Sequence, residues 1–255
     1  HQPLRLGLLF AGQTLVAPAV ALMMLTVWDI PAPLAAGLLL VAACPVGDLA
    51  GAYTAMARGP VALAVVLNTT SCLLAALTMP LLFRLYEVVL SATFAFSAPG
   101  WALVNKVFLM TALPVLLGMT VRELRPDWAD GWRPWLRRAV ALCILALVAY
   151  VLLNQWPQVR RDGVTAALAA AVFLVLTSAG GWVIGRALGW SGKHRMCTVF
   201  LAAVRNLGLA AAVAITLMDR ADYAVFGAVY LLVEVPLALG LVAWYSRPVS
   251  GAPST

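Results

Sequence analysis

The sequence is poor in charge and in the residues from which enzymes build their sites. Only 11% of its 255 residues are Asp, Glu, Lys or Arg, and histidine occurs twice, as His1 and His194. With so few histidines, no His-Glu metal motif, no Gly-rich phosphate loop and no nucleophile beside a base, an enzyme is not expected. Cysteine is scarce as well: Cys44, Cys72, Cys143 and Cys197 all lie in or beside apolar segments, and no two are spaced Cys-x-x-Cys. They read as small buried hydrophobes rather than as disulfides or metal ligands. No cleavable signal is visible, and a chain that starts at His1 rather than Met is expected to have been cut from something longer.

What is present is apolar. Hydrophobic residues make up 64% of the chain and the mean hydropathy is +0.96, well outside the composition of soluble domains. A helix needs about 20 apolar residues to cross roughly 30 Å of hydrocarbon. Eight such runs lie near 5–28, 33–57, 60–85, 101–121, 134–155, 164–187, 194–218 and 223–246. Their length and their Leu, Ala and Val content predict an all-α, polytopic membrane helical bundle rather than a β-barrel of short alternating strands.

The net charge of +7 marks orientation, not a nucleic-acid partner. If sides alternate from Arg5, one side holds Arg5, Arg58, Arg122, Arg125, Arg133, Arg137, Arg138, Arg186, Lys193, Arg195 and Arg247. The other holds Arg84, Lys106, Arg160, Arg161 and Arg220, and Arg205 falls inside a span. The positive-inside tendency puts the first side, with both termini of this chain, in the cytoplasm. Trp28, Trp101, Trp156, Trp190 and Trp244 sit near span ends as an interfacial belt.

The second and seventh spans are interrupted, at Cys44-Pro45-Val46-Gly47 and at Arg205-Asn206-Leu207-Gly208. Each interrupted span is followed by one more, which is the mark of a duplicated unit. Three spans precede the second break within its unit and only one precedes the first, so the first unit is expected to be two spans short. An odd-numbered unit that repeats must be inverted in the membrane, and helices broken in corresponding places mark the binding site of a secondary transporter. The chain then divides into a first-repeat part at 1–85, a linker and span at 86–121, a cytoplasmic connector at 122–133 and the rest of the second repeat at 134–255.

Charges lie at these breaks. At 1.5 Å per residue, Asp48 is about 15 Å from Arg58, and Arg205 is about 15 Å from Arg195, so both fall near the midplane. A charge there costs about 3 kcal/mol unless it meets partners or water, which makes each a site candidate. Asp48 follows Pro45 and Gly47 where a half-helix would begin, so it reads as an N-cap, as a ligand-binding group, or as both. Arg205 is always charged and too deep to snorkel, and an Asp48–Arg205 pair across the breaks would let each offset the other. Glu234 is the third such charge, either a hydrogen-bonded core carboxyl or a proton-coupling or substrate-contacting group. Gln13, Asn68, Thr69, Thr70, Ser71 and Asn206 add neutral polar groups, although Ser and Thr in membrane helices often bond only to their own backbone.

In "CPVGDLAGAYTAMARGPVALAVVLNTTSCLLAALTMPLL" the sequence resembles the bile acid:sodium symporter family. That family has a Cys-Pro-Gly-Gly-Thr-Ala-Ser-Asn break followed by Ala-Arg-Gly-Asp-Val-Ala-Leu. "VRNLGLAAAVA" resembles its Gln-Asn-Ser-Gly-Leu-Ala-Ala-Ala, and "LLFAGQTLVAPAVALMML" its third helix. The resemblance implies an inverted repeat with two broken, crossing helices beside two sodium sites and a substrate cavity, with the family's first two helices lacking here. It also implies that Gln13 matches a sodium-ligand Gln, that Asn68 replaces a Thr ligand and that Asn206 matches the Asn beside the substrate. Elsewhere the ligands are gone: Ala50-Gly51 stands for a Ser-Asn pair, Ala64 for a Ser, Leu201 for the Glu that bridges both ions and Arg205 for a nearby Gln.

The expectation is an integral membrane secondary transporter of small organic anions, in a bacterial inner membrane, working by alternating access. It uses no cofactor and not the family's sodium; it is proton-coupled or facilitative, with Arg205 in place of the missing cation and Asp48 as its counterion. Its expected substrate and ion contacts are Gln13, Asp48, Asn68, Thr69, Arg205, Asn206 and Glu234. The alternative is a non-transporting membrane homologue that acts as a receptor or partner protein.

Overall fold

The computed structural model describes residues 2–90 and 100–246, which are helical apart from connecting turns and one isolated β-bridge. His1, Arg247 and part of the expected linker, at 91–99, lie outside the described residues. The helices are α1 (Gln2–Val27), α2 (Ala32–Ala43), α3 (Leu49–Met56), α4 (Val61–Val89), α5 (Gly100–Val107), α6 (Leu113–Leu124), α7 (Pro126–Asn154), α8 (Trp156–Ala187), α9 (Gly192–Ala203), α10 (Leu207–Thr216) and α11 (Ala224–Tyr245). A π-helical turn, Phe108–Ala112, joins α5 to α6.

Six stretches among the described residues are long and apolar enough to cross a membrane, and the remaining two spans are the split pairs α2/α3 and α9/α10. The chain is therefore a polytopic helical membrane protein. The first interruption occurs where Pro45, Gly47 and Asp48 cluster in the sequence, the second at Arg205 and Asn206. The first frees 44–48 and the second frees Val204, Arg205 and Asn206, so Leu207 and Gly208, expected in the second break, already belong to α10. Prolines open several helices, as at Pro31, Pro60 and Pro126, where the missing N–H costs nothing. The connector expected at 122–133 is instead helical except at Arg125, where a backbone of φ −143°, ψ 68° turns α6 into α7.

The two breaks satisfy each other. The Gly47 N–H donates to Val204 O at 3.0 Å and the Asn206 N–H donates to Pro45 O at 2.9 Å, which is an antiparallel bridge between Val46 and Arg205. Exposed backbone in hydrocarbon costs several kcal/mol per group, so two breaks that pair are far cheaper than two left apart. The approach is close enough that a Cβ on Gly47 would lie 2.5 Å from Arg205 O, so only glycine fits there. The Val46 N–H donates to Ser71 Oγ of α4 at 3.0 Å.

Apolar clusters pack on either side of this crossing. One holds Ala17, Leu38, Leu209, Phe226 and Tyr230. The other holds Leu9, Tyr53, Phe200, Val204 and Val242. Along α1, Gln13 falls between Leu9 and Ala17; along α11, Glu234 falls between Tyr230 and Val242; and Arg205 falls between Val204 and Leu209. The crossing is thus a polar layer held between two greasy ones. Small residues bring the helices together around it, as at Gly181 of α8, whose carbonyl accepts from Thr198 Oγ1 of α9 at 2.7 Å.

Candidate functional site

The polar layer is built from the broken ends. α2 stops at Cys44, and its last carbonyls form the partial negative end of a helix in the middle of the span. Arg205, 3% exposed, fills that position: its guanidinium donates to Cys44 O at 3.4 Å and to Gln13 O of α1 at 2.8 Å. The cation is therefore held by main-chain oxygens. The expected Asp48–Arg205 pair does not form among the described residues. The physical reason is that the end of α2 and the Gln13 carbonyl of α1 already supply oxygens to the guanidinium, while the exposed Asp48 carboxylate turns to Asn68 of α4.

Asp48 also does not cap α3 through its side chain. Its backbone (φ −63°, ψ −25°) is already helical, whereas an N-cap takes an extended conformation to turn its carboxylate back on the helix. Its Oδ1 instead accepts from Asn68 Nδ2 at 2.9 Å, and the Asn68 Oδ1 accepts from the Cys72 thiol at 3.6 Å. The side-chain cap is at the other break, where Asn206 Oδ1 accepts from the Leu209 N–H at 3.0 Å. Thr69, beside Asn68 on α4, is half-buried.

Gln13 is 1% exposed, and neither atom of its amide has a partner among the described residues. Glu234, fully buried on α11, has the Tyr53 hydroxyl of α3 beside its carboxylate. Tyr53 of α3 and Tyr230, one turn back on α11, are its titratable neighbours, and Tyr230 is near Arg205 as well. The Tyr230 hydroxyl donates to Ala203 O at the end of α9. The sequence did not single out these tyrosines, since an aromatic in an apolar helix looks like core. It also ranked Ser71 with Thr70. Thr70 does bond back to its own helix, at Val66 O, but Ser71 holds the first break.

A cavity of about 280 Å³ opens at the crossing. Asp48, Leu49, Arg205, Asn206, Leu207 and Gly208 bring both half-helix starts to its wall, and Val140, Ile144 and Val151 of α7 close it from the far side. Gln13, Asn68, Thr69 and Glu234 are not among its lining residues. The structure therefore brings Asp48, Arg205 and Asn206 together at one cavity and sets Gln13 and Glu234 behind it.

Comparison with known proteins bears on the first part of this arrangement. A family model described as "Sodium Bile acid symporter family" matches residues 1–159, the stretch that contains the first break and all of α7. The "Probable sodium/metabolite cotransporter BASS2, chloroplastic" of Oryza sativa subsp. japonica is 31% identical over 130 residues, 51% of this chain and 30% of that protein. The "P3 protein" of Mus musculus and that of Homo sapiens are each 30% identical over 129 residues, 51% of this chain and 27% and 26% of theirs. The matched region spans less than a third of each relative. With the family match covering more than half of the chain, the first broken helix and α7 on the far side of the cavity, the chain belongs to the sodium bile acid symporter family.

Proposed function

We propose that this chain carries the substrate site of a secondary transporter for small organic anions, working by alternating access without its family's sodium sites. The observation that carries the reading is the cavity at the crossed breaks. Its 280 Å³ lies just below the roughly 300–1,000 Å³ of sites for drug-sized ligands, which favours a small carboxylate over a bulky sterol. Two half-helices start at its wall, and each start is a partial positive charge. Asp48 sets a carboxylate at the start of α3, whereas α10 is capped by neutral Asn206, so its positive end remains for a ligand. That open positive end, with the Arg205 cation held just behind the wall, favours an anion.

Sodium fits these residues poorly. The positions at which the family resemblance places oxygen ligands hold Ala50, Ala64 and Leu201, all fully buried and without side-chain oxygens. The main-chain oxygens of Cys44 and Gln13 are taken by the Arg205 guanidinium. We assign coupling to Glu234, the buried carboxyl of the polar layer, since intramembrane carboxyls are the usual proton relays of carriers. By the positive-inside tendency the arginine-rich side faces the cytoplasm, in a bacterial inner membrane.

Uptake of a panel of labelled organic anions by proteoliposomes of the full-length protein tests the substrate class. Saturable uptake of small mono- or dicarboxylates that neutral analogues do not compete with is the expected result. Saturable uptake of cations or neutral solutes alone would overturn it.

A further inference from the structure

A second cavity, of about 710 Å³, lies between the end of α6, the first turns of α7 and the core. Arg122, Arg133 and Arg137 line it, against a single carboxylate, Asp130. It shares Leu49, Val140, Ile144 and Leu231 with the cavity at the breaks, so the two adjoin through a common wall. From Arg137 to Ile144 the distance along α7 is about 10 Å at 1.5 Å per residue.

The bland account of these arginines is that they fix topology at the membrane surface. The start of α7 argues against it. Trp128, Trp132 and Trp135 recur at helical spacing, each more than half exposed, and line a groove of their own. Trp128 and Trp132 pack with ring centres 5.8 Å apart, and the Arg138 guanidinium stacks on Trp135 at 5.2 Å. That face has the features of a membrane-interface anchor, arginine included. Arg133 and Arg137 lie one turn apart on the other side of the helix, toward the cavity. Neither they nor Arg122 have a hydrogen-bond or ion-pair partner among the described residues. Three free guanidiniums around one roomy cavity suit ionised carboxylate or phosphate, which guanidinium binds in a two-pronged fashion.

We propose that Arg122, Arg133 and Arg137 form an outer anion subsite, a vestibule that captures a soluble carboxylate- or phosphate-bearing metabolite on the arginine-rich side and delivers it to the cavity at the breaks. The delivery step rests on the reading of the chain as an organic-anion carrier; the capture step does not. A positive cleft with low-dielectric walls raises local anion concentration and association rates by about 10- to 1,000-fold, an effect that salt suppresses.

The test is citrate binding to the full-length protein in nanodiscs of zwitterionic lipid, measured by calorimetry at low and high salt. The parent is expected to bind citrate with an affinity that falls as salt rises. The double variant Arg133→Gln/Arg137→Gln is expected to lose at least tenfold, and Arg138→Gln less than twofold. Arg133→Lys/Arg137→Lys keeps the charge and is expected to stay within about threefold to fivefold of the parent. No citrate binding by the parent, equal binding by the Gln variant, or a Lys variant as weak as the Gln variant would each overturn the proposal. In nanodiscs containing phosphatidylglycerol, binding that persists supports a soluble ligand. Binding that vanishes there, with lipid retained through the same arginines, means that they hold a lipid headgroup and overturns it. Arginine-dependent citrate binding by a protein that moves no anion in proteoliposomes would uphold the subsite while removing the carrier reading.

Discussion

At the scale of single residues, the site turns on side chains whose partners are main-chain atoms. Arg205 meets the carbonyls of Gln13 and Cys44, 192 and 161 positions away in the chain. No pattern of residue types announces such partners, because every residue carries the same carbonyl. That is why Asp48, a carboxylate at the facing break, looked like the counterion and is not. Glycine at 47 was legible as a break but not as a contact. Gly47→Ala should drive a methyl into the Arg205 carbonyl and lower stability by about 1–3 kcal/mol. Gly51→Ala, with nothing within 4 Å of the new Cβ, should leave stability unchanged or slightly raised; thermal unfolding in detergent compares the two. Ser71→Ala should strand the Val46 N–H and cost about 1–3 kcal/mol. In the same assay Thr70→Val, which loses only a bond to its own helix, should cost under about 0.5 kcal/mol.

At the scale of elements, hydropathy located the eight spans to within a few residues except at the start of α7 and α8, because a span must be apolar for its whole length. Proline and glycine located the first break, since they remove backbone donors or loosen the chain where lipid allows neither without compensation, and the charged Arg205 beside Asn206 located the second. Which half-helix would carry its own cap was not legible, since Asp48 and Asn206 are both good cap residues and only the backbone angles separate them. Their difference predicts function. Asn206→Ala should destabilise the protein by about 0.5–2 kcal/mol through the lost cap. Asn206→Asp should keep the cap and the melting temperature yet set a carboxylate on the positive end of α10. Transport kinetics should then show KM for an anionic substrate raised at least tenfold.

At the scale of the whole molecule, a tightly packed group of helices around the crossed breaks faces α7, which buries only Val151 among its described residues. The cavity at the breaks lies between these parts, so filling it should stop transport without unfolding the protein. Ala228→Phe, in the wall formed by α11, is expected to cut transport by at least tenfold while detergent melting shifts by under about 3 °C, a change of about 1 kcal/mol or less. The arginines at 122, 133 and 137 show what the sequence could not convey at this scale. A count by side treats them like Arg138, and only the folded helix sends Arg138 to the tryptophans and the others to a cavity. The central claim is transport of an organic anion with Arg205 in place of sodium and Glu234 as the coupling group. The most direct test is initial uptake into proteoliposomes of the full-length protein with sodium and proton gradients imposed separately, in the parent, Arg205→Gln and Glu234→Gln. The account predicts uptake that follows the proton gradient, ignores sodium and loses its proton dependence in Glu234→Gln; an absolute sodium requirement that survives Arg205→Gln would contradict it.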